Sequence, residues 1–291
     1  MTRDEVPRQT DALATPADVT RTLAGDGYLA DRGLATAVYL AATLEQPVLL
    51  EGEAGVGKTE VARALAAATG AELIRLQCHE GIDLHHAVYD WDYGRQLLAI
   101  RAAEAGSEAR ELFGREFLLR RPLLEALEAD PARPSVLLID EIDRADDEFE
   151  AFLLEFLSDF AISIPELGTI RARSRPLVVL TSNRTRELHD ALKRRCLYHW
   201  IDYPTPEREA EIVRARLPEV PEAIALRVCD AVARLRAEEL YKLPGVGETI
   251  TWARALLALD PEADLEATLG VALKVREDLE RVRDRGVLEG A

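Results

Sequence analysis

The sequence predicts an α/β fold, a parallel sheet flanked by helices, followed by a smaller all-α unit, and three observations carry that prediction. Short apolar runs at Val48–Leu50, Val136–Ile139 and Leu177–Leu180 read as strands buried on both faces, the kind that parallel sheets contain. Helical spacing separates them: Val61, Ala62, Leu65, Ala66 and Ala68 ahead of Gly70, then Phe149, Phe152, Leu153, Phe156 and Leu157. After Tyr203-Pro204-Thr205-Pro206 no strand-like run appears, only helical periodicity broken at Pro218, Pro221, Pro244–Gly247 and Pro261.

In chain order, residues 1–24 read as a loosely ordered segment, 25–204 as the α/β unit and 205–291 as the helical one. Leu73–Leu76 and Leu197–Ile201 add a fourth and a fifth strand. Ala161–Ile164 and Thr169–Ala172, joined by Pro165-Glu166-Leu167-Gly168, predict a hairpin at about 161–173. Thr205 can cap a helix whose first position is Pro206.

The chain has 291 residues, 48% hydrophobic and 31% charged, a globular rather than a disordered balance. Its formal net charge of −17 repels polyanions, and the basic stretch 184–195 is too short for a nucleic-acid footprint. No apolar run approaches the roughly 20 residues of a membrane-spanning helix, and residues 1–31 lack a signal-peptide pattern. A cytoplasmic protein is expected. Three widely spaced cysteines, Cys78, Cys196 and Cys229, argue against a disulfide framework.

Gly52-Glu53-Ala54-Gly55-Val56-Gly57-Lys58-Thr59 matches G-x-x-x-x-G-K-[ST] in full, after an apolar strand and before a helix. Glycines let backbone N–H groups converge on phosphate oxygens, and the new helix points its positive end at the same anion. Lys58 offers a point charge to the β- and γ-phosphates of ATP, and Thr59 a hydroxyl to Mg²⁺. Glu60 closes this cofactor-binding stretch. The strand Val136–Ile139 ends in Asp140 and Glu141, where open sheets bind ligands. Asp140 suits a Mg²⁺ ligand through water, and Glu141 a base that polarises the attacking water. Asn183 ends the run Leu177–Asn183, where its amide can orient water or cap a turn.

This ordered set resembles the AAA+ ATPases and, more narrowly, the MoxR family with its CoxD-like members. The similar stretches are LLEGEAGVGKTEVARALA, VLLIDEIDRADDEFEAFLLEFLSD, LTSN, LKRRC and PGVGETITWARALLAL, within about residues 25–285. The resemblance implies a P-loop core with a helical lid. It matches Asn183 to sensor 1 and Arg195 to an arginine finger acting on a neighbouring subunit, with Arg194 as the alternative. It matches Arg254 to sensor 2, although Thr251–Arg254 departs from the Gly/Pro-richer pattern usual there. It implies a homo-oligomeric ring, a hexamer, working with a von Willebrand A-domain protein on a client metalloenzyme such as carbon monoxide dehydrogenase, a molybdenum hydroxylase.

MoxR-like proteins carry a helix-2 insertion where this chain has Cys78–Gly94. Cys78, His79, His85, His86, Asp83, Asp90 and Asp92 are metal-ligand types, yet no spacing there matches a zinc pattern. Tyr89, Trp91 and Tyr93 alternate as on one strand face, as a hydrophobic cluster or as a pore or partner hairpin. Other functions on the same loop are a kinase or transferase, a nucleotide-locked scaffold and a DNA-directed motor. Against these stand Asp140-Glu141, Asn183 and the acidic charge. No Asn-Lys-x-Asp motif reads guanine.

Overall fold

The computed structural model describes residues 12–104, 112–133, 135–259 and 264–288. Their strands are β1 (Val48–Gly52), β2 (Glu72–Gln77), β3 (Tyr89–Trp91), β4 (Leu118–Arg120), β5 (Ser135–Asp140), β6 (Ala161–Ile164), β7 (Gly168–Arg171), β8 (Leu177–Ser182) and β9 (Leu197–Ile201). Their α-helices are α1 (Pro16–Gly25), α2 (Arg32–Leu44), α3 (Lys58–Thr69), α4 (Leu84–Ala87), α5 (Tyr93–Glu104), α6 (Pro122–Leu127), α7 (Asp147–Asp159), α8 (Asp190–Lys193), α9 (Pro206–Arg216), α10 (Glu222–Arg236), α11 (Val246–Leu259), α12 (Leu265–Ala272) and α13 (Arg276–Asp284). None of these helices is long and apolar enough to cross a membrane.

Five strands form one parallel sheet in the order β2-β5-β8-β1-β9. Successive side chains of a strand point to opposite faces, so a strand buried on both sides is apolar throughout. Leu49, Leu137, Ile139, Val178 and Leu180 face one side, against Phe149, Leu153 and Phe156 of α7. Val48, Leu50, Val136, Leu138 and Val179 face the other, against Val19 and Leu23 of α1, Val38 of α2 and Val61 and Leu65 of α3. Each of these buried aliphatic or aromatic side chains contributes about 1.5–3 kcal/mol through burial. The fold is the expected α/β core with further helices after it. Two short antiparallel pairs, β3 with β4 and the β6–β7 hairpin, lie outside the sheet.

Three readings of the sequence change. The segment 1–24 was expected to be loosely ordered; residues 1–11 lie outside the described residues, but from Pro16 the chain is helical. Thr15 caps α1 by accepting from the Asp18 N–H at 3.2 Å, and Val19 and Leu23, four residues apart, are fully buried. The insertion after β2 runs beyond Gly94, because α4, β3, α5, β4 and α6 all precede β5. Buried Leu123, Leu124 and Leu127 of α6 bind it to the core. Tyr93 does not share a strand face with Tyr89 and Trp91. Asp92 caps α5 by accepting from the Arg95 N–H at 2.9 Å, so Tyr93 opens a helix and stays exposed. Tyr89 and Trp91 do stack edge to face, with centroids 5.9 Å apart.

Helices α9–α13 share a core of their own around Trp252, Val228, Val232 and Leu269. One buried polar network ties it together. Glu209 accepts from Arg236 at 2.6 and 2.9 Å and from the Thr249 hydroxyl at 2.6 Å. Glu209→Ala strands the Arg236 guanidinium, whose side chain is 9% exposed, without its counter-ion. The expected destabilisation is about 3–5 kcal/mol, read as a lower denaturation midpoint.

Candidate functional site

The chain turns sharply at the carboxyl end of β1, and the glycines there are steric requirements. Gly52, at φ 154°, lies against the edge strand: a Cβ would sit 2.2 Å from the Ile201 carbonyl oxygen. Gly55, at φ 79°, lies against the helical unit: a Cβ would meet Gly245 Cα at 2.7 Å. The Val246 N–H donates to the Gly55 carbonyl at 2.9 Å, and the Tyr203 hydroxyl donates to the Ala54 carbonyl at 3.1 Å. Arg236 stacks on the Tyr203 ring at 4.2 Å and donates to the Pro244 carbonyl at 2.8 Å. The loop is therefore seated on the helical unit by backbone and by Arg236, the residue that Glu209 holds.

Gly57 adopts φ 96° and opens α3, whose first residue is Lys58. The Lys58 ammonium is buried and donates to the carbonyls of Gly52 at 2.8 Å and Glu53 at 2.7 Å. Burial lowers its pKa from the ordinary lysine value, while Asp143, Glu53, Asp140 and Glu141 push it back up. Lys58 places its cation at the positive end of a helix, where both favour phosphate.

β8 lies between β1 and β5 in the sheet, and its Thr181 joins the two strand ends. Asp140 Oδ1 accepts from the Thr59 hydroxyl at 2.9 Å and from the Thr181 hydroxyl at 2.6 Å. A hydroxyl and a carboxylate are hard oxygen donors of the kind Mg²⁺ takes, so this pair fits that ion. Glu141 adopts a left-handed backbone (φ 55°), and its N–H donates to Thr181 at 2.9 Å. Its carboxylate accepts from the Gln77 amide at 3.1 Å and pairs with Arg144 at 3.4 Å.

A cleft of ≈ 1010 Å³ between the sheet's carboxyl edge and the helical unit is lined by Ala54–Thr59, Glu60, Asp140, Glu141, Asn183 and Arg254, among others. The structure thus brings the loop residues Ala54–Thr59, the carboxylates Asp140 and Glu141, Asn183 and Arg254 to one cleft. Asn183 is oriented from its backbone: its N–H donates to the buried Asp143 carboxylate at 3.2 Å, and Thr185 donates to the same oxygen at 2.8 and 2.7 Å. Glu60 lines the cleft with its carboxylate held by Arg216 of α9. Arg194 and Arg195 do not line it. Both are exposed beyond α8, and Arg195 donates to the Leu154 carbonyl at 3.0 Å.

Several contributors went unread in the sequence. Arg75 and Gln77 alternate on one face of β2, a period-two signal that marks them as partners of the β5 carboxylates only once the register is known. Tyr28 packs beside Gly57, where burial raises its phenol well above the usual value, and Arg208 and Arg216 line the cleft from α9. The cysteines are free, and burial pushes the Cys78, Cys196 and Cys229 thiols up to about 12, which leaves them protonated. Among the histidines, His86 pairs with Asp83 at 2.7 Å and His79 lies against the Glu80 carbonyl.

A family model described as "AAA domain (dynein-related subfamily)" matches residues 47–196, just over half the chain. No match is found among curated proteins. The match runs from the residue before β1 through the loop, the acid pair, Asn183 and the Arg194–Arg195 pair. With a β2-β5-β8-β1-β9 parallel sheet and helices after it, this chain belongs to the AAA domain family, dynein-related subfamily, and is an AAA+ nucleotide-dependent ATPase.

Proposed function

We propose that the chain hydrolyses ATP in the cleft between the sheet edge and the helices, and that it does so as one subunit of a ring that remodels a client protein. The observation that carries this reading is the Thr59–Asp140 contact at 2.9 Å with Glu141 next in sequence, opposite the phosphate loop. The loop N–H groups and Lys58 bind the β- and γ-phosphates. Thr59 and Asp140 would hold Mg²⁺, which when bound neutralises charge on the phosphates. Glu141 accepts a proton from water as the water oxygen bonds to the γ-phosphorus. The bond from that phosphorus to the bridging oxygen breaks, and its electron pair leaves with ADP. Asn183 orients the water, and Arg254 lies over the nucleotide from the helical side.

Arg195, or Arg194 beside it, lies outside its own subunit's cleft and is exposed, an arrangement that supports a finger serving a neighbour. In this reading residues 25–204 and 205–291 act as core and lid around the nucleotide. The test is binding and turnover by the purified chain. ATP should bind in preference to GTP, and Lys58→Ala should weaken binding at least tenfold, read by a fluorescent ATP analogue. Equal binding by Lys58→Ala would sink the assignment.

The finer reading is a MoxR-type chaperone of the CoxD-like kind, and its support is the similarity of whole segments from LLEGEAGVGKTEVARALA to PGVGETITWARALLAL. The client would then be a molybdenum hydroxylase, assisted by a von Willebrand A-domain protein. Purified apo-hydroxylase should raise the ATPase rate and should be retained by a Glu141→Gln ring in ATP. Neither effect, with an intact ring, would remove that client.

A further inference from the structure

Asp140 is engaged on both oxygens. Thr59 and Thr181 hold Oδ1, while Oδ2 accepts from Arg75 Nε at 3.0 Å and Nη2 at 2.5 Å. The pair is lopsided in exposure: the Asp140 side chain is 3% exposed and the Arg75 side chain 43%. A buried carboxylate needs a counter-charge, and Arg75 supplies one with open solvent beside it into which the guanidinium can withdraw. Arg75 also donates to Gln77 Oε1, which turns the other end of that amide toward Glu141, where Gln77 Nε2 donates at 3.1 Å. One arginine on β2 therefore touches the candidate metal ligand directly and the candidate base through a single amide.

We propose that Arg75 is an internal competitor for Mg²⁺ at Asp140, a positioning residue that sets the Mg²⁺ concentration the nucleotide site requires. The inference rests on the reading that Thr59 and Asp140 hold Mg²⁺. Two cations drawn to one carboxylate repel each other, so the guanidinium at Oδ2 opposes an ion held between Oδ1 and Thr59. A simple structural counter-ion would stabilise the fold without altering the Mg²⁺ requirement, and this distinguishes the two roles.

The experiment titrates Mg²⁺ against binding of a fluorescent ATP analogue by the full chain. Arg75→Gln should lower the Mg²⁺ midpoint by about three- to tenfold, because a partly exposed like charge is removed from beside the ion. Arg75→Lys keeps the charge but loses the fork, so it should shift the midpoint the same way by less, and it serves if Arg75→Gln does not fold. An unchanged or raised midpoint in a folded variant overturns the proposal. Asp140→Asn separates the two failures. It should raise the midpoint, and if it does not, the Mg²⁺ site itself is wrongly assigned and the inference falls with it.

Discussion

Glu141→Gln is expected to retain ATP binding and to lose hydrolysis by about 10²–10⁴-fold, the range contributed by a positioned general base. The amide keeps the shape of the side chain and can still meet Gln77, which now donates to Glu141 Oε2 at 3.1 Å, but it cannot take the proton of the attacking water. Affinity should survive because the contacts made by the phosphate loop, Lys58 and Thr59 are untouched. Binding of a fluorescent ATP analogue and release of inorganic phosphate, measured on one preparation, check both halves. Phosphate release at the unsubstituted rate would remove Glu141 as the base. A parallel loss of binding would mean that the left-handed turn at Glu141 had collapsed.

Arg195→Ala should lower the maximal rate by about 10³–10⁵-fold, the scale on which an arginine stabilises charge on a transferred phosphoryl group. The same loss should be repaired in part by mixing. A ring of Arg195→Ala and Lys58→Ala subunits contains sites in which an intact loop faces a neighbour's intact arginine. Rate is measured across mixing ratios, with mixed rings verified by mass. Absence of any recovery would place the finger elsewhere, and Arg194→Ala then takes the same test. The anchoring of this segment makes a fixed approach feasible. Glu150, fully buried on α7, accepts from Arg186 and from the His189 N–H at 3.0 Å, so the start of α8 is tied to the element that follows the acid pair.

Much of the site could be read from sequence because its chemistry is local. Gly52–Thr59 is one contiguous loop, its glycines are dictated by backbone angles, and the strand ahead of it opens on the apolar run Val48–Leu50. Asp140 and Glu141 are adjacent and terminate a second such strand. What could not be read depends on which strands become neighbours. Thr181 matters because β8 lies between β1 and β5, and Arg75 and Gln77 matter because β2 pairs with β5 in a register that sets Gln77 against Asp140. The contact of Gly245 with Gly55 joins residues nearly two hundred positions apart, and no periodicity reports it. The segment between β2 and β5 is hard to read for a related reason: α6 is short, and its leucines count as core only when the sheet face they cover is present.

The sequence by itself determined the class of fold, the phosphate loop and the acid pair, because strand burial, helix spacing and loop conformation are encoded within short windows. Only the tertiary structure decided what holds those groups. Asp140 lies between two threonines and an arginine, Glu141 leans on Gln77, Asn183 hangs from Asp143, and the loop rests on Gly245. Each is a contact between separate elements, fixed by strand order and packing rather than by any local preference.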